Sequence, residues 1–156
     1  MNRLVTFQHQ RQLIQRAAES VPEQLWLEVP PGFNNNIAWN LGHLITVQQA
    51  FTYRLSGLEM LIDPSYLDLF APGTSPEDWS ETPDISRLLG ELGSISKQVA
   101  EDYEAGRFDS FQQHTTSTGL RLNHVDEAIA FNNFHEGIHA GIMLTLARCL
   151  RAGHGS

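Results

Sequence analysis

Four stretches of the chain carry apolar residues at the alternating three- and four-residue spacing of a helix with one buried face. Leu4, Phe7, Ile14, Ala18 and Val21 form the first, and Pro22 disfavours helical backbone at the residue before it, so a helix is predicted from about Leu4 to Ser20. Arg11 interrupts that face, either as an edge residue with its head in water or as an inward charge near a site. The second stretch is Ile37, Leu41, Leu44, Gln48, Phe51, Leu55 and Leu58, with Asn34, Asn35 and Asn36 as possible N-caps. Trp39, His43, Val47 and Ala50 lie in a row beside that seam, and a helix apolar over so wide an arc needs two neighbours. Thr82-Pro83-Asp84 is expected to start a third helix with Ile85, Leu88, Leu92, Ile95, Val99 and Tyr103 inward. Asn123 is expected to cap the last, which runs past Cys149 with Ala128, Asn132, His135, His139, Ile142, Leu146 and Cys149 on its seam.

The periodicity fades between these stretches. Val29-Pro30-Pro31-Gly32-Phe33 is a rigid connector that cannot be helix. From about Glu59 to Pro83, five Pro and Gly residues punctuate a connection far longer than an antiparallel helix turn requires. Tyr66, Leu67, Leu69, Phe70 and Trp79 are too apolar for a free linker, so short helical turns packed over one end of the domain are expected, as a crossover or lid. Gly106 to Asn123 is a second irregular connection, and its polar run His114 to Gly119 suits a hairpin or an extended loop equally. The fold expected from this is all-α: a four-helix bundle with long connections between helices 2 and 3 (59–83) and 3 and 4 (106–123). One domain over 1–152 with a flexible tail at 153–156 accounts for the 156 residues.

Composition narrows the partners. A hydrophobic share of 41% with 18% charged residues is ordinary for a soluble globular protein, and no apolar run approaches the span of a bilayer. Met1-Asn2-Arg3 leads straight into the amphipathic pattern with no apolar signal-peptide core, so a cytoplasmic address is the expectation. The formal charge of −8, with Lys97 the only lysine, argues against a nucleic-acid surface. Eleven of the eighteen carboxylates lie between Glu59 and Glu104, which reads as a solvated face. Cys149, without a second cysteine to pair with, reads as a small buried hydrophobe.

The chemistry concentrates in His135-Glu136-Gly137-Ile138-His139. Two imidazoles four residues apart project from one side of a helix, about 5–6 Å apart at Cβ, close enough to share a metal ion. A buried imidazole needs a partner for each nitrogen, because an unsatisfied buried polar group costs about 1–3 kcal/mol. A divalent metal supplies that partner, and so does a hydrogen bond to Asn132 or a carbonyl. His43, from the second helix, is the candidate third ligand of a three-histidine site that keeps a position open for water or substrate.

Trp39-Asn40-Leu41-Gly42-His43-Leu44 and His135-xxx-His139-x-Gly141-Ile142 together resemble the DinB-like superfamily of bacterial four-helix bundles, which includes the YfiT-like thiol transferases. The resemblance spans nearly the whole chain. It implies a divalent metal, commonly nickel or zinc, held by His43, His135 and His139 and open to solvent. It further implies transfer or isomerisation of a small-molecule substrate with a low-molecular-weight thiol such as bacillithiol or mycothiol. A metal-dependent thiol transferase or hydrolase is therefore one expected function, and a non-catalytic metal- or ligand-binding stress-response protein is the other. A homodimer is the expected assembly, since bundles with wide apolar faces frequently pair about a twofold axis.

His135 to His139 also matches the H-E-x-x-H signature of zinc proteases. No glutamate follows Glu136, and the metzincin position holds Thr145, so that reading lacks its third ligand; His154 sits in a Gly-rich tail. Glu136, about 100° around the helix from its neighbour, is expected to be a surface carboxylate or an outer partner of the site. Asn36, Asn40 and Asn132 are expected as caps, surface residues or groups that orient a water or substrate. Exposure is expected for His9, His114 and His124, and lid or core packing for Trp39, Tyr66, Phe70 and Trp79.

Overall fold

The computed structural model describes residues 3–155. Four long helices carry the structure: α1 (Arg3–Glu19), α2 (Ile37–Thr52), α4 (Leu88–Glu104) and α5 (Val125–Gly153), with a short α3 (Ser65–Phe70) between α2 and α4. Two-residue strands β1 (His114–Thr115) and β2 (Arg121–Leu122) pair antiparallel, His114 opposite Leu122 and Thr115 opposite Arg121. Among the described residues the fold is thus all-α apart from this hairpin, whose tight end needs the positive φ of 84° that Gly119 supplies. None of the described helices is long and apolar enough to cross a membrane.

α1 and α2 each pack against both α4 and α5, which closes the four long helices around one core. α2 is its centre. Ile37, Ala38, Leu41, Leu44 and Ile45 are fully buried, and even its polar Asn40, Thr46, Gln48, Gln49 and Thr52 are buried, because α3 covers the side that α4 and α5 leave. Asn36 caps the helix, its Oδ1 accepting from Trp39 N at 2.8 Å.

Several element boundaries depart from the periodicity. α2 ends at Thr52, before Leu55 and Leu58, because the chain tightens into a 3₁₀ turn at Arg54–Ser56 and reverses at Gly57 with φ 74°. α4 starts at Leu88 instead of Thr82-Pro83-Asp84, since the Asp84 carboxylate accepts from Ser86 N and Oγ in a local turn. Asn123 does not cap α5: its N–H donates to Glu127 Oε2 at 2.7 Å, so a first-turn carboxylate reaches back to the entering backbone. α5 continues through Gly153, where the end of order was expected, and exposed His154 Nε2 lies 2.8 Å from Glu28 Oε2; Ser156 of the expected tail falls outside the described residues.

The 59–83 connection is a strap tied to α2, as its apolar content predicts. Gln49 Oε1 accepts from Leu61 N at 2.7 Å, and Trp39 Nε1 donates to Thr74 Oγ1 at 3.0 Å. Tyr66 and Phe70 of the strap are buried, and Trp79 Nε1 donates to Leu69 O at 2.9 Å. These aromatics pack the strap onto the core.

Candidate metal centre

The register of α5 sets the geometry of the site. Its buried positions are Ala128, Ile129, Asn132, Glu136, Ala140, Met143, Leu146, Ala147 and Leu150, so the centre of the buried face runs through Glu136 and Ala140. The expected seam through His135, His139, Ile142 and Cys149 lies about one residue off. His135 and His139 are half-buried at the edge of the face, and Cys149 is exposed, contrary to its reading as a buried hydrophobe.

That edge faces α2. His43 is buried at 4% exposure, and its Nε2 stands 3.3 Å from His135 Nε2. The ring of His139 lies 4.9 Å from that of His43 and 4.6 Å from that of His135, centroid to centroid. One nitrogen from each of the three falls within 4.8 Å of the others. Two nitrogens bound tetrahedrally to one zinc ion at about 2.0–2.1 Å stand roughly 3.3–3.4 Å apart, so the closest pair is already at ligand spacing.

The outer faces of two of the rings are fixed by oxygen acceptors. His43 Nδ1 donates to Phe70 O at 2.8 Å, and His139 Nδ1 donates to Asn40 Oδ1 at 2.8 Å. Each bond places the ring proton on Nδ1 and the lone pair on Nε2, the arrangement a metal-ligating histidine requires, and the Nε2 of His43 faces that of His135. Asn40 is itself oriented, its Nδ2 donating to Asn36 O at 2.7 Å. His135 Nδ1 is buried without a hydrogen-bond partner, so this ring is held less firmly than the other two.

The motif around His43 now has a reason at nearly every position. Trp39 stacks on His43 with centroids 4.4 Å apart and planes 13° from parallel. Asn40 orients His139. A Cβ on Gly42 would meet the Phe70 ring at 2.5 Å, so glycine is what lets α3 approach α2 closely enough for the Phe70 carbonyl to reach His43. The Phe70 contact was not readable from sequence, since nothing in a helical pattern announces a backbone carbonyl from another segment. Asn40, expected as a cap, a surface residue or a group that orients a water or substrate, orients the ring of His139 instead.

Burial holds all three imidazoles neutral. For His43 burial is the larger cause and lowers it, opposed by the hydrogen bond to the Phe70 carbonyl. His135 falls to about 4 through burial, then through His43 and Arg11, and His139 falls to about 3 through burial, then through His135 and His43. Neutral imidazole is the form that binds metal.

Glu136 is neither a surface carboxylate nor a base for these histidines. It is fully buried at the centre of the buried face of α5, about 100° around the helix from His135, where Arg11 Nε and Nη2 both donate to its Oε1 at 2.9 and 2.7 Å and Asn132 Nδ2 donates at 3.0 Å. Arg11, at 2% exposure, also donates to Leu44 O at 3.0 Å and Leu92 O at 3.3 Å. One guanidinium from α1 therefore ties α2, α4 and α5 together, bonding beside His43 on one helix and beside His135 on another. Of the two sequence expectations for Arg11, the inward charge holds. The H-E-x-x-H protease reading loses its base, because the glutamate is engaged away from the histidines.

A cleft of about 520 Å³ opens onto His43 and His135 between α2, α5, the strap and the hairpin. His114, expected to be exposed, is half-buried in its wall with its ring 6.0 Å from that of Phe51. His9 and His124 are exposed as expected. No curated protein matches the chain. The profile of the DinB superfamily matches residues 6–143, a span that contains most of α1, the three clustered histidines and the strap, and the chain belongs to that superfamily.

Proposed function

We propose that His43, His135 and His139 hold one divalent metal ion, zinc or nickel, on the floor of the cleft. The observation that carries this is the 3.3 Å approach of two Nε2 atoms whose histidine cluster is oriented from outside by Phe70 O and Asn40 Oδ1. When bound, the cation supplies Lewis-acid activation of a thiol or water. The chain's own contribution is positional: Trp39 and Phe70 fix His43, and Asn40 fixes His139.

The activity we propose is transfer or hydrolysis of a small molecule, with a low-molecular-weight thiol as co-substrate, as the resemblance implies. The fold we propose for it is a cytoplasmic four-helix bundle of one domain over 1–152, pairing as a homodimer. Metal or ligand binding without turnover is the second reading, favoured by one observation: no carboxylate lines the cleft to serve as a base. Elemental analysis of the purified chain beside His43→Ala and His139→Ala tests the metal. One ion in the wild type and loss in both variants is expected, and a wild type that carries none and takes none up overturns the reading. Saturable, chelator-sensitive turnover with a thiol separates the enzyme from the binding protein.

A further inference from the structure

The wall of the cleft differs in charge from the rest of the molecule. The chain has eighteen carboxylates and a formal charge of −8, yet no Asp or Glu lines the cleft. Its one fully charged lining group is Arg54, in the 3₁₀ turn after α2. Arg3, Arg11, Arg87 and Arg107 all sit on carboxylates, whereas no ion pair engages Arg54 among the described residues. A pocket with one sign of charge and apolar walls concentrates its field on what enters.

The remaining wall is aromatic and branched. Phe51 meets Phe131 edge to face at 5.5 Å, and Phe131 lies 6.1 Å from Phe134. Phe134 and Ile138 are 60% and 50% exposed, so apolar surface flanking His135 is left for an occupant to cover. Thr116, Ser117 and Thr118 of the hairpin add hydroxyls at the rim. The volume lies within the range of small-molecule sites.

Resting on the assignment of this cleft as the reaction site, we infer that its substrate is an organic anion: an aromatic or branched apolar body that packs on Phe131, Phe134 and Ile138, with an acidic group directed to Arg54. The proposal assigns specificity to Arg54, a residue outside the three-histidine cluster.

Titration of the metal-free protein with 2-naphthoate and with 2-naphthylmethylammonium, followed by backbone amide shifts, tests it; the two probes share a body and differ in charge. Wild type is expected to bind the carboxylate at least about tenfold tighter, with shifts in α5 around Phe131 to Ile138 and in the hairpin. Arg54→Glu, at an exposed position, is expected to abolish or invert that preference while amide shifts outside the cleft stay in place. Equal affinity for both probes, a preference unchanged in Arg54→Glu, or no binding of either overturns the inference. Dimerisation that buries Phe134 and Ile138 also overturns it, by making the cleft a contact between copies. Metal uptake measured on the same samples keeps the two readings apart. Anion selectivity without metal uptake leaves this inference standing and removes the metal site, and uptake without selectivity does the reverse.

Discussion

His135 and Glu136 are adjacent in the chain and face opposite fates. His135 stands at the edge of the buried face of α5, its Nδ1 without a partner and its ring open to a cleft. Glu136 lies at the centre of that face, fully buried and held by Arg11 and Asn132. The 100° that separates consecutive residues on a helix turns one into site and the other into scaffold. The two are nonetheless linked, since Arg11 bonds beside His43 and beside His135 at once. A charged pair in the core thus fixes the helices that carry the imidazoles, while the hydrogen bonds of His43 to Phe70 O and of His139 to Asn40 Oδ1 orient two of the rings.

The contrast breaks most visibly at Arg11. Arg11→Ala strands a buried carboxylate, and the free energy of unfolding in urea is expected to fall by about 3–5 kcal/mol. His139→Ala is expected to leave metal-free stability nearly unchanged while weakening metal affinity by more than the roughly 100-fold typical of losing an outer partner. A drop in stability as large as that of Arg11→Ala would erase the distinction between site and scaffold. Asn40→Ala, which frees His139 Nδ1, is expected to weaken metal binding by about 10–100-fold in a competition titration, with His43 unaffected.

Acid sharpens the comparison. His135 and His139 are depressed in the folded chain to about 4 and about 3, so between the ordinary imidazole range and these values the unfolded chain binds more protons. Metal-free stability is therefore expected to be intact at neutral pH and to decline as pH falls from about 6.5 towards 4 and below. The double variant His135→Gln/His139→Gln is expected to flatten that decline. The smallest effect is expected for Arg11→Met with Glu136→Leu, which replaces the pair by apolar side chains and should restore unfolding free energy to about that of the wild type. If that variant folds but binds metal more weakly, the ion pair positions the histidines; if metal affinity is also restored, its role is confined to stability.

Much of this was readable from spacing. Apolar periodicity located all four long helices, and the i, i+4 histidines with His43 named the cluster that folding brings together. Long-range pairing was not readable. Arg11 and Glu136 are 125 positions apart; Arg11 alone interrupts an apolar face, and Glu136 alone lies off the expected α5 seam as a surface charge. Counting the histidines as seam residues shifted the α5 register by one, which buried Cys149 on paper and exposed Glu136. Helix ends failed where local chemistry overruled periodicity, at Gly57 after α2 and at the Asp84 turn before α4. The hairpin wall of the cleft stayed hidden because a polar Thr/Ser run suits a strand or a loop equally well.

X-ray absorption at the metal edge of the zinc- or nickel-loaded chain tests the account most directly. Three imidazole nitrogens at about 2.0–2.1 Å are predicted for zinc, reduced to two in His43→Ala, which loses its ion on purification, when saturating zinc is added back to that variant. A shell of oxygen donors alone, or a spectrum unchanged by that substitution, would contradict it.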